Sequence, residues 1–313
     1  MAHHLTKMQT QFKTLTQLLD FFKDEETCKK YYEFQRWGGN VACPHCGSLK
    51  VYRTNRGFKC GEKECYKKFS LTVGTIFENS KIPLRTWFAA MYLCTTSKKG
   101  ISSVQLSEQL GITQKTAWFV LSRIRTMLAD NSNEPLTGEV EVDETYVGGK
   151  DYFKHKSKKS KGTGMVEKSP MVGFKQRDGK IVLRVVDKGA ANTATIAPLV
   201  RQHVCTSAIL ITDGFGAYRA VGKEYKAHEI VNHTAGEYVR GKFHTNNMEG
   251  FWAIMKRGIY GIYHSVSHKH LHRYCNEFSY RYNTREVSAV ERFQASLQKV
   301  SDTRITYKGL IGK

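Results

Sequence analysis

Hydrophobic residues in the first 130 positions recur with the spacing of amphipathic helices. In residues 10–36 the apolar positions lie three or four residues apart, and Gly38 and Gly39 end the segment. This pattern predicts one packing helix or a helix pair. A further helix can begin at Pro83 and continue through the apolar segment LRTWFAAMYLC, because proline is tolerated at a helix start.

Residues 101–130 contain two short helical patterns on either side of a glycine. Leu106 and Leu110 precede Gly111, and Thr113 can cap a second helix. The apolar face of that helix consists of Ala117, Val120, Leu121 and Ile124. This order predicts a helix-turn-helix, although similar helix pairs also occur in bundles that bind no DNA. In the DNA-binding interpretation, the groove contacts are Gln114, Lys115, Thr116 and Arg123.

A polar break at residues 131–135 is followed by a different pattern. Strand-like segments at 138–149, 170–176, 180–187, 208–214 and 229–232 are interleaved with helix-like segments at 192–204, 215–221 and from 247 onward. Hairpin strands followed by alternating strands and helices are typical of a mixed α/β domain. The order of the segments predicts an RNase H-like fold.

The overall charge indicates a polyanionic partner. The 313 residues include 49 Lys+Arg against 28 Asp+Glu, a formal net charge of +21, and phosphate neutralisation by basic residues supplies most non-specific nucleic-acid affinity. Between the first two predicted strands, residues 150–168 contain seven lysines, including Lys158 and Lys159. We expect this insertion to follow a phosphate backbone, the alternative being a solvated loop without a function.

The distribution of apolar residues gives no indication of a membrane protein. The sequence has no run of about 18 apolar residues, and its first residues lack the apolar core of a secretory signal. We therefore expect no membrane partner and a cytoplasmic location.

Four of the eight cysteines lie between residues 43 and 65. Cys43 and Cys46 form a CxxC pair, whereas Cys60 and Cys65 are separated by four residues. Thiolates at such spacings suit one tetrahedral structural zinc ion, with His45 as an alternative ligand. We expect a zinc ribbon with almost no apolar core, so that the metal supplies its folding free energy.

Three acidic residues that are far apart in the sequence are candidate metal ligands. Asp143 lies in the first predicted strand of the α/β region, and side chains alternate along a strand, so Asp143 and Glu144 cannot both face one site. Val140 and Val142 define the face opposite Asp143. Asp213 follows an apolar strand, at the end where ligand sites of such sheets collect; the alternative is a turn aspartate.

Glu249 is the third candidate, at the start of the last helical segment. Asn246 could cap that helix, and Glu249 would then complete a capping box. Glu249 and Lys256 also share a helix face at i and i+7, which places the lysine about 10 Å farther along the axis, a distance suited to a DNA phosphate. Asn247 is the alternative metal ligand.

Several motifs together resemble those of the zinc-ribbon DDE transposases of bacterial insertion sequences. They are CPHCG, VGTIFENSKIPLRTWF, VDETYVGG, ITDGFGAY and HTNNMEGFWAIMKRGIYGIYHSVSHKHL, and they cover most of residues 40–285 in this order. The resemblance implies an RNase H-like catalytic domain in which Asp143, Asp213 and Glu249 are the catalytic acids. It also implies that Lys256 is the associated base, next to Arg257 in a DNA-contacting segment.

The resemblance further implies a function. Two Mg²⁺ or Mn²⁺ ions at the three carboxylates would support DNA cleavage and strand transfer. The partners would be the terminal inverted repeats and target DNA, bound by a homodimer on paired ends. The alternatives are a metal-dependent nuclease or resolvase that does not join DNA, and a zinc-ribbon DNA-binding regulator.

The predicted domain organisation follows from these features. We expect an N-terminal helical segment at 1–40, a zinc ribbon at 41–77, a helix-turn-helix region at 78–134, a catalytic domain at 136–300 with the basic insertion 150–168, and a C-terminal tail at 301–313.

Overall fold

The computed structural model describes residues 12–132, 134–148, 155, 157, 168–189, 191–232, 236 and 239–312. The chain divides into two compact units, of which the first combines Met1–Leu128 with Arg285–Lys313 and the second is Ala129–Thr284. Within the described ranges, no helix has the length and apolar character needed to cross a membrane.

The first unit begins with a helix pair, α1 (Leu15–Phe21) and α2 (Glu25–Trp37). Thr14 and Gln17 form a capping box at the start of α1, and the Asp24 side chain accepts a hydrogen bond from the Thr27 amide at the start of α2. Gly38 ends α2 in the left-handed conformation, with φ of 59°, which glycine adopts without a steric penalty. Local capping chemistry therefore accounts for the helix boundaries.

A three-stranded antiparallel sheet follows, consisting of β1 (Val51–Thr54), β2 (Gly57–Cys60) and β3 (Lys68–Phe69). Phe58 and Phe69 are buried and stack with ring centroids 5.4 Å apart, and Trp37 lies 5.4 Å from Phe58. The ribbon thus has a small aromatic core, which corrects the expectation of almost none.

Three helices complete the N-terminal part of this unit: α3 (Leu84–Thr96), α4 (Ser103–Leu110) and α5 (Gln114–Met127). Gly111 ends α4 with φ of 63°, and the Thr113 side chain caps α5. The four apolar residues assigned to one face of α5, Ala117, Val120, Leu121 and Ile124, are all buried. The helix–turn–helix arrangement therefore has the boundaries and the packed face that the sequence predicts.

The second unit is built on a five-stranded mixed sheet. Its strands are β4 (Glu139–Val147), β5 (Ser169–Gln176), β6 (Ile181–Val185), β7 (Ile209–Thr212) and β8 (Ala227–Ile230). Their order across the sheet is β6-β5-β4-β7-β8, with antiparallel pairing among the first three and parallel pairing of β4 with β7 and β7 with β8. This is the topology of an RNase H-like fold, as predicted.

Helices cover both faces of this sheet. On one face, α6 (Thr193–His203) and α7 (Ala217–Gly222) pack with Val140 and Val142. On the other, α8 (Asn246–Gly258), a π-helical turn (Ile259–Tyr263) and α9 (His268–Asn283) pack with Met171 and Leu183. Because side chains alternate along β4, Glu141 and Asp143 lie on the face opposite Val140 and Val142 and therefore face α8.

The C-terminal segment contains α10 (Ala289–Gln298), a 3₁₀ turn (Lys299–Asp302) and α11 (Tyr307–Ile311). Phe293 of α10 is fully buried, and its ring lies 5.7 Å from Phe12 and 5.8 Å from Phe88. Residues 285–300 therefore belong to the first unit, whereas we predicted that the catalytic domain extends to residue 300. The difference arises because an amphipathic helix does not reveal in its own sequence which core covers its apolar face.

Candidate active site

Asp143 lies in the middle of β4, the central strand of the five-stranded sheet. Its side chain is on the face that packs against α8, and its Oδ2 accepts a hydrogen bond of 3.0 Å from the Trp252 indole N–H. We did not predict this contact, although Trp252 lies one helical turn beyond Glu249. A helix residue thus holds the strand carboxylate in one orientation.

Asp213 immediately follows β7, which pairs with β4 in parallel. Its Oδ1 accepts a 2.9 Å hydrogen bond from the Phe215 amide, so one carboxylate oxygen shapes the turn. The turn interpretation and the ligand interpretation are compatible, because the turn bond uses only one of the two carboxylate oxygens.

Glu249 lies in the first turns of α8, on the exposed surface. The helix begins at Asn246 with Thr245 as its N-cap, and the Thr245 side chain makes no capping hydrogen bond. Glu249 is therefore the fourth helical residue, and the predicted capping box between Asn246 and Glu249 does not form. Asn247, the alternative ligand, donates its side-chain amide to Glu141 Oε1 at 2.7 Å.

Asp213 and Glu249 both lie close enough to Asp143 for their charges to affect its pKa. The pKa of Asp143 is raised to about 6, chiefly by burial and then by the charge of Asp213, with a smaller contribution from Glu249. Asp213 and Glu249 therefore lie near enough to Asp143 to affect it, although the three residues are far apart in the sequence, and their role as metal ligands stays a prediction.

Glu144 is a fourth carboxylate in this region. Its pKa is raised to about 7, chiefly by burial and also by the charges of Asp213 and Asp143, while a 2.8 Å hydrogen bond from the Tyr218 hydroxyl acts in the opposite direction. Strand alternation directs Glu144 away from the face of Asp143, yet the two adjacent carboxylates remain close enough to repel each other. Side-chain alternation along the strand did not by itself predict this repulsion between Asp143 and Glu144.

Lys256 and Arg257 lie in the last turn of α8. Lys256 is half-buried and Arg257 is exposed. Both are on the same helix as Glu249, toward its opposite end.

The four predicted zinc ligands, Cys43, Cys46, Cys60 and Cys65, form a compact group in the ribbon, with their sulfur atoms within 4.8 Å of one another. His45 is not part of this group. Among the described residues, no other set of three or more metal-ligating side chains is equally compact. The acidic residues of the second unit are therefore more widely spaced than the thiols.

The residues predicted to contact DNA differ in their exposure to solvent. Gln114 and Lys115 are exposed at the start of α5, and Thr116 is half-buried and bonded to Thr113. Arg123 is only 4% exposed and donates to the carbonyls of Ile76 and Glu78. Arg123 therefore stabilises the interior of its unit and cannot face a DNA groove, because its guanidinium is buried. Lys158 and Lys159 lie outside the described residues.

Comparisons with known proteins identify two domains. The model of the ISXO2-like transposase domain matches residues 135–283, and the model of the transposase zinc-ribbon domain matches residues 23–68. A relative from Halobacterium salinarum, described as an uncharacterized protein in transposable element ISH50, is 31% identical over 261 residues, which cover 79% of this chain and 86% of the relative.

Other similarities are more distant. An uncharacterized transposase-like protein of Haemophilus influenzae is 25% identical over 97 residues, covering 31% of this chain and 77% of that protein. Among solved structures, the Mos1 transposase paired-end complex with left transposon end is 12% identical, with a TM-score of 0.29 over 96% of this chain and 94% of that chain. The Mos1 strand transfer complex is 12% identical, with a TM-score of 0.30 over 94% and 95%.

Proposed function

The chain belongs to the insertion-sequence transposases with an ISXO2-like transposase domain and a transposase zinc ribbon, and from this we propose that it binds the ends of its element and catalyses their cleavage and transfer to target DNA. The observation that carries the proposal is the proximity of Asp143 on β4, Asp213 directly after the paired strand β7, and Glu249 on the helix beside them. We assign these three residues as the catalytic acids.

The carboxylates suit Mg²⁺ or Mn²⁺ chemically. Both ions prefer oxygen ligands, and Asp143 is half-buried beside two like charges that raise its pKa. A cation between these carboxylates would remove this repulsion. When bound, two such ions activate the attacking oxygen and stabilise the leaving oxygen of a phosphodiester.

The protein's own side chains orient the ligands. The Trp252 indole fixes Asp143, and the Phe215 amide fixes one oxygen of Asp213. Lys256 follows Glu249 by two helical turns, and we assign it to a DNA phosphate next to the reacting bond. No tyrosine nucleophile is required, and Tyr218 is buried with its hydroxyl bonded to Glu144.

We assign DNA recognition to the exposed basic and polar residues. Gln114 and Lys115 present their side chains at the start of α5, where the recognition helix of a helix-turn-helix contacts bases. Arg257 would contact the DNA backbone near the reacting phosphate. Transfer requires two ends to be held together, so we propose that the active form is a homodimer.

The test is a joining reaction with purified full-length protein. A duplex carrying one end of the element is incubated with a circular target and Mg²⁺, and both cleaved and joined products are quantified. Asp143→Asn, Asp213→Asn and Glu249→Gln should each reduce both reactions by roughly two orders of magnitude or more, while end binding is retained. Glu224→Gln, which breaks an exposed ion pair with Arg201, is the matched control and should be fully active.

Two outcomes would contradict the proposal. Cleavage without any joined product in the wild type would identify a nuclease or resolvase. Undiminished cleavage in all three carboxylate variants would show that the assigned acids are not catalytic, which is the result expected of a DNA-binding regulator contaminated by a nuclease.

A further inference from the structure

Glu141 is a fully buried carboxylate that the proposed catalytic chemistry does not use. It lies two residues before Asp143 on β4 and is 0% exposed. Its Oε1 accepts a 2.7 Å hydrogen bond from the Asn247 amide, and its Oε2 accepts a 3.0 Å hydrogen bond from the Met248 backbone N–H. Both donors belong to the first turn of α8.

These contacts replace a missing helix cap. The first backbone N–H groups of a helix have no partner within the helix, and the N-cap side chain usually accepts from the second or third of them. In α8 the N-cap residue Thr245 makes no such bond, and Met248 is the third helical residue. Glu141 therefore caps α8 from a neighbouring strand, and its charge is favourable at the positive end of the helix.

Arg177 connects the same carboxylate to the segment that leads into α8. Its Nε lies 3.3 Å from Glu141 Oε1, its Nη1 donates to the Lys242 carbonyl at 2.9 Å, and its Nη2 donates to the His244 carbonyl at 3.4 Å. His244 Nδ1 lies 3.7 Å from Glu141 Oε1. The carboxylate is thus surrounded by donors, which offset the cost of burying its charge.

The same helix is held close to the sheet beside Asp143. Gly173 pairs with Asp143 across β4 and β5, and a Cβ atom at Gly173 would lie 2.2 Å from Met248 Cε and 2.7 Å from Trp252 Cζ2. A side chain at this position would displace the side chains of Met248 and Trp252 on α8. The glycine and the Glu141 cap therefore act on the first two turns of one helix.

We propose that Glu141 is a positioning residue that caps α8 and thereby holds Glu249 in place relative to Asp143. Glu141 and Asp143 are two residues apart on β4, and Glu249 follows Met248 directly, so one carboxylate connects the two elements next to the site. This inference rests on the proposed function, because it assumes that Glu249 and Asp143 hold the same metal ions.

The experiment uses full-length Glu141→Gln, which offers one acceptor oxygen and an NH₂ group in place of two acceptors. Hydrogen exchange of peptides covering 244–255 should become faster, while exchange in α9 is unchanged. The concentration of Mn²⁺ that half-saturates the protein, measured by electron paramagnetic resonance of free Mn²⁺, should rise roughly tenfold or more. DNA cleavage should approach the wild-type rate at saturating Mn²⁺, because Glu249 is still present.

Two further variants keep the test falsifiable. Asn247→Ala removes one donor without leaving the carboxylate unpaired, so it should fold and give a smaller change of the same kind even if Glu141→Gln does not fold. Glu249→Gln should show normal exchange in 244–255 and no recovery with Mn²⁺. Glu224→Gln is again the surface control.

The outcomes separate the two proposals. Wild-type exchange and Mn²⁺ affinity in Glu141→Gln, beside an inactive Glu249→Gln, would overturn the positioning role and leave the proposed function intact. If Glu141→Gln does not fold, wild-type hydrogen exchange and Mn²⁺ affinity in Asn247→Ala would likewise overturn the positioning role of Glu141. Full activity and Mn²⁺ affinity in Glu249→Gln would instead overturn the proposed function.

Discussion

At the scale of single residues, the carboxylate of Asp143 lowers the stability of the fold at neutral pH. Its pKa is raised to about 6, chiefly by burial, so the folded protein favours the protonated form more strongly than the unfolded chain does. The resulting penalty is absent below the unfolded pKa near 3.8, grows as the pH rises from there to about 6, and is constant above that value. A half-buried carboxylate of this kind opposes folding at neutral pH, which is the behaviour expected of the metal ligand that we propose.

We therefore expect Asp143→Asn to be more stable than the wild type at pH 8 without added divalent ions, by about 1–3 kcal/mol. Thermal unfolding followed by circular dichroism measures the difference, which should shrink at pH 4.5. Saturating Mg²⁺ should raise the melting temperature of the wild type and not of the variant. Asp178→Asn, the same change at an exposed turn residue, is the control. Equal stability of both variants at pH 8 would contradict the expectation.

We expect a second effect of pH on stability from His203, opposite in direction to that of Asp143. Burial and then the positive charge of Arg184 lower the pKa of His203 to about 4, and its ring lies 5.4 Å from Phe174. The folded protein favours the neutral ring, so the stability contributed by this group is present above the unfolded pKa near 6.5 and is lost as the pH falls toward 4.

Between pH 7 and pH 5, His203 should reduce the free energy of unfolding by on the order of 1–2 kcal/mol. In His203→Gln this part of the acid sensitivity should disappear, as measured by urea unfolding at both pH values. His155→Gln, at an exposed histidine, should keep the wild-type pH dependence. A wild-type slope in His203→Gln would show that another group controls acid stability.

At the scale of elements, α5 shows that basic residues of one helix can have different roles. Arg123 is buried and bonded to the carbonyls of Ile76 and Glu78, whereas Lys115 is exposed. Arg123→Ala leaves buried carbonyls without donors and should cost about 2–4 kcal/mol of stability. Lys115→Ala should change stability by less than about 0.5 kcal/mol.

DNA binding should show the reverse pattern. Lys115→Ala should weaken end binding and reduce the slope of log affinity against log salt by about 1, as measured by fluorescence anisotropy. Arg123→Ala, measured where it is fully folded, should keep the wild-type slope. A reduced slope in Arg123→Ala alone would indicate that its guanidinium reaches DNA.

The zinc ribbon is an element whose stability should depend on its metal. Its aromatic core is small, with Phe58 and Phe69 as the buried rings, and four thiols crowded within 4.8 Å have little reason to approach without a cation. Removing zinc should increase hydrogen exchange throughout residues 41–69 and weaken DNA binding. Cys46→Ser should behave similarly, and Cys205→Ser, outside the cluster, should not. Unchanged exchange after complete zinc removal would refute a structural metal.

At the scale of the whole molecule, the first unit is assembled from both ends of the chain. Phe293 packs against Phe12, Phe22 and Phe88, so a C-terminal residue stabilises N-terminal helices. Phe293→Ala should cost about 3–5 kcal/mol and increase hydrogen exchange in residues 84–96. Leu271→Ala, a buried residue of α9, should instead increase exchange in 169–185. The opposite distribution would contradict the division into units.

Individual residues show which features could be predicted from the sequence and which could not. Thr113, Gly111 and the cysteine pairs were predicted correctly, because caps, turns and metal knuckles depend on residues a few positions apart. Asp143 was chosen from side-chain alternation along a strand, Asp213 from a strand end and Glu249 from a helix start, and the structure places Asp213 and Glu249 near Asp143. Arg123 was assigned to the wrong surface, since helical spacing does not show whether a basic residue lies over solvent or over buried carbonyls.

The sequence by itself determined the order of helices and strands, the zinc-binding cysteines and the acidic candidates. These features follow from hydrophobic periodicity and short-range hydrogen bonds, which act within a few turns of chain. Only the tertiary structure decided that Glu141 caps α8, that Arg123 is buried and that α10 completes the first unit. Such contacts join residues as far apart as the 106 positions between Glu141 and Asn247. Their partners are defined by which elements lie side by side, and no local pattern contains that information.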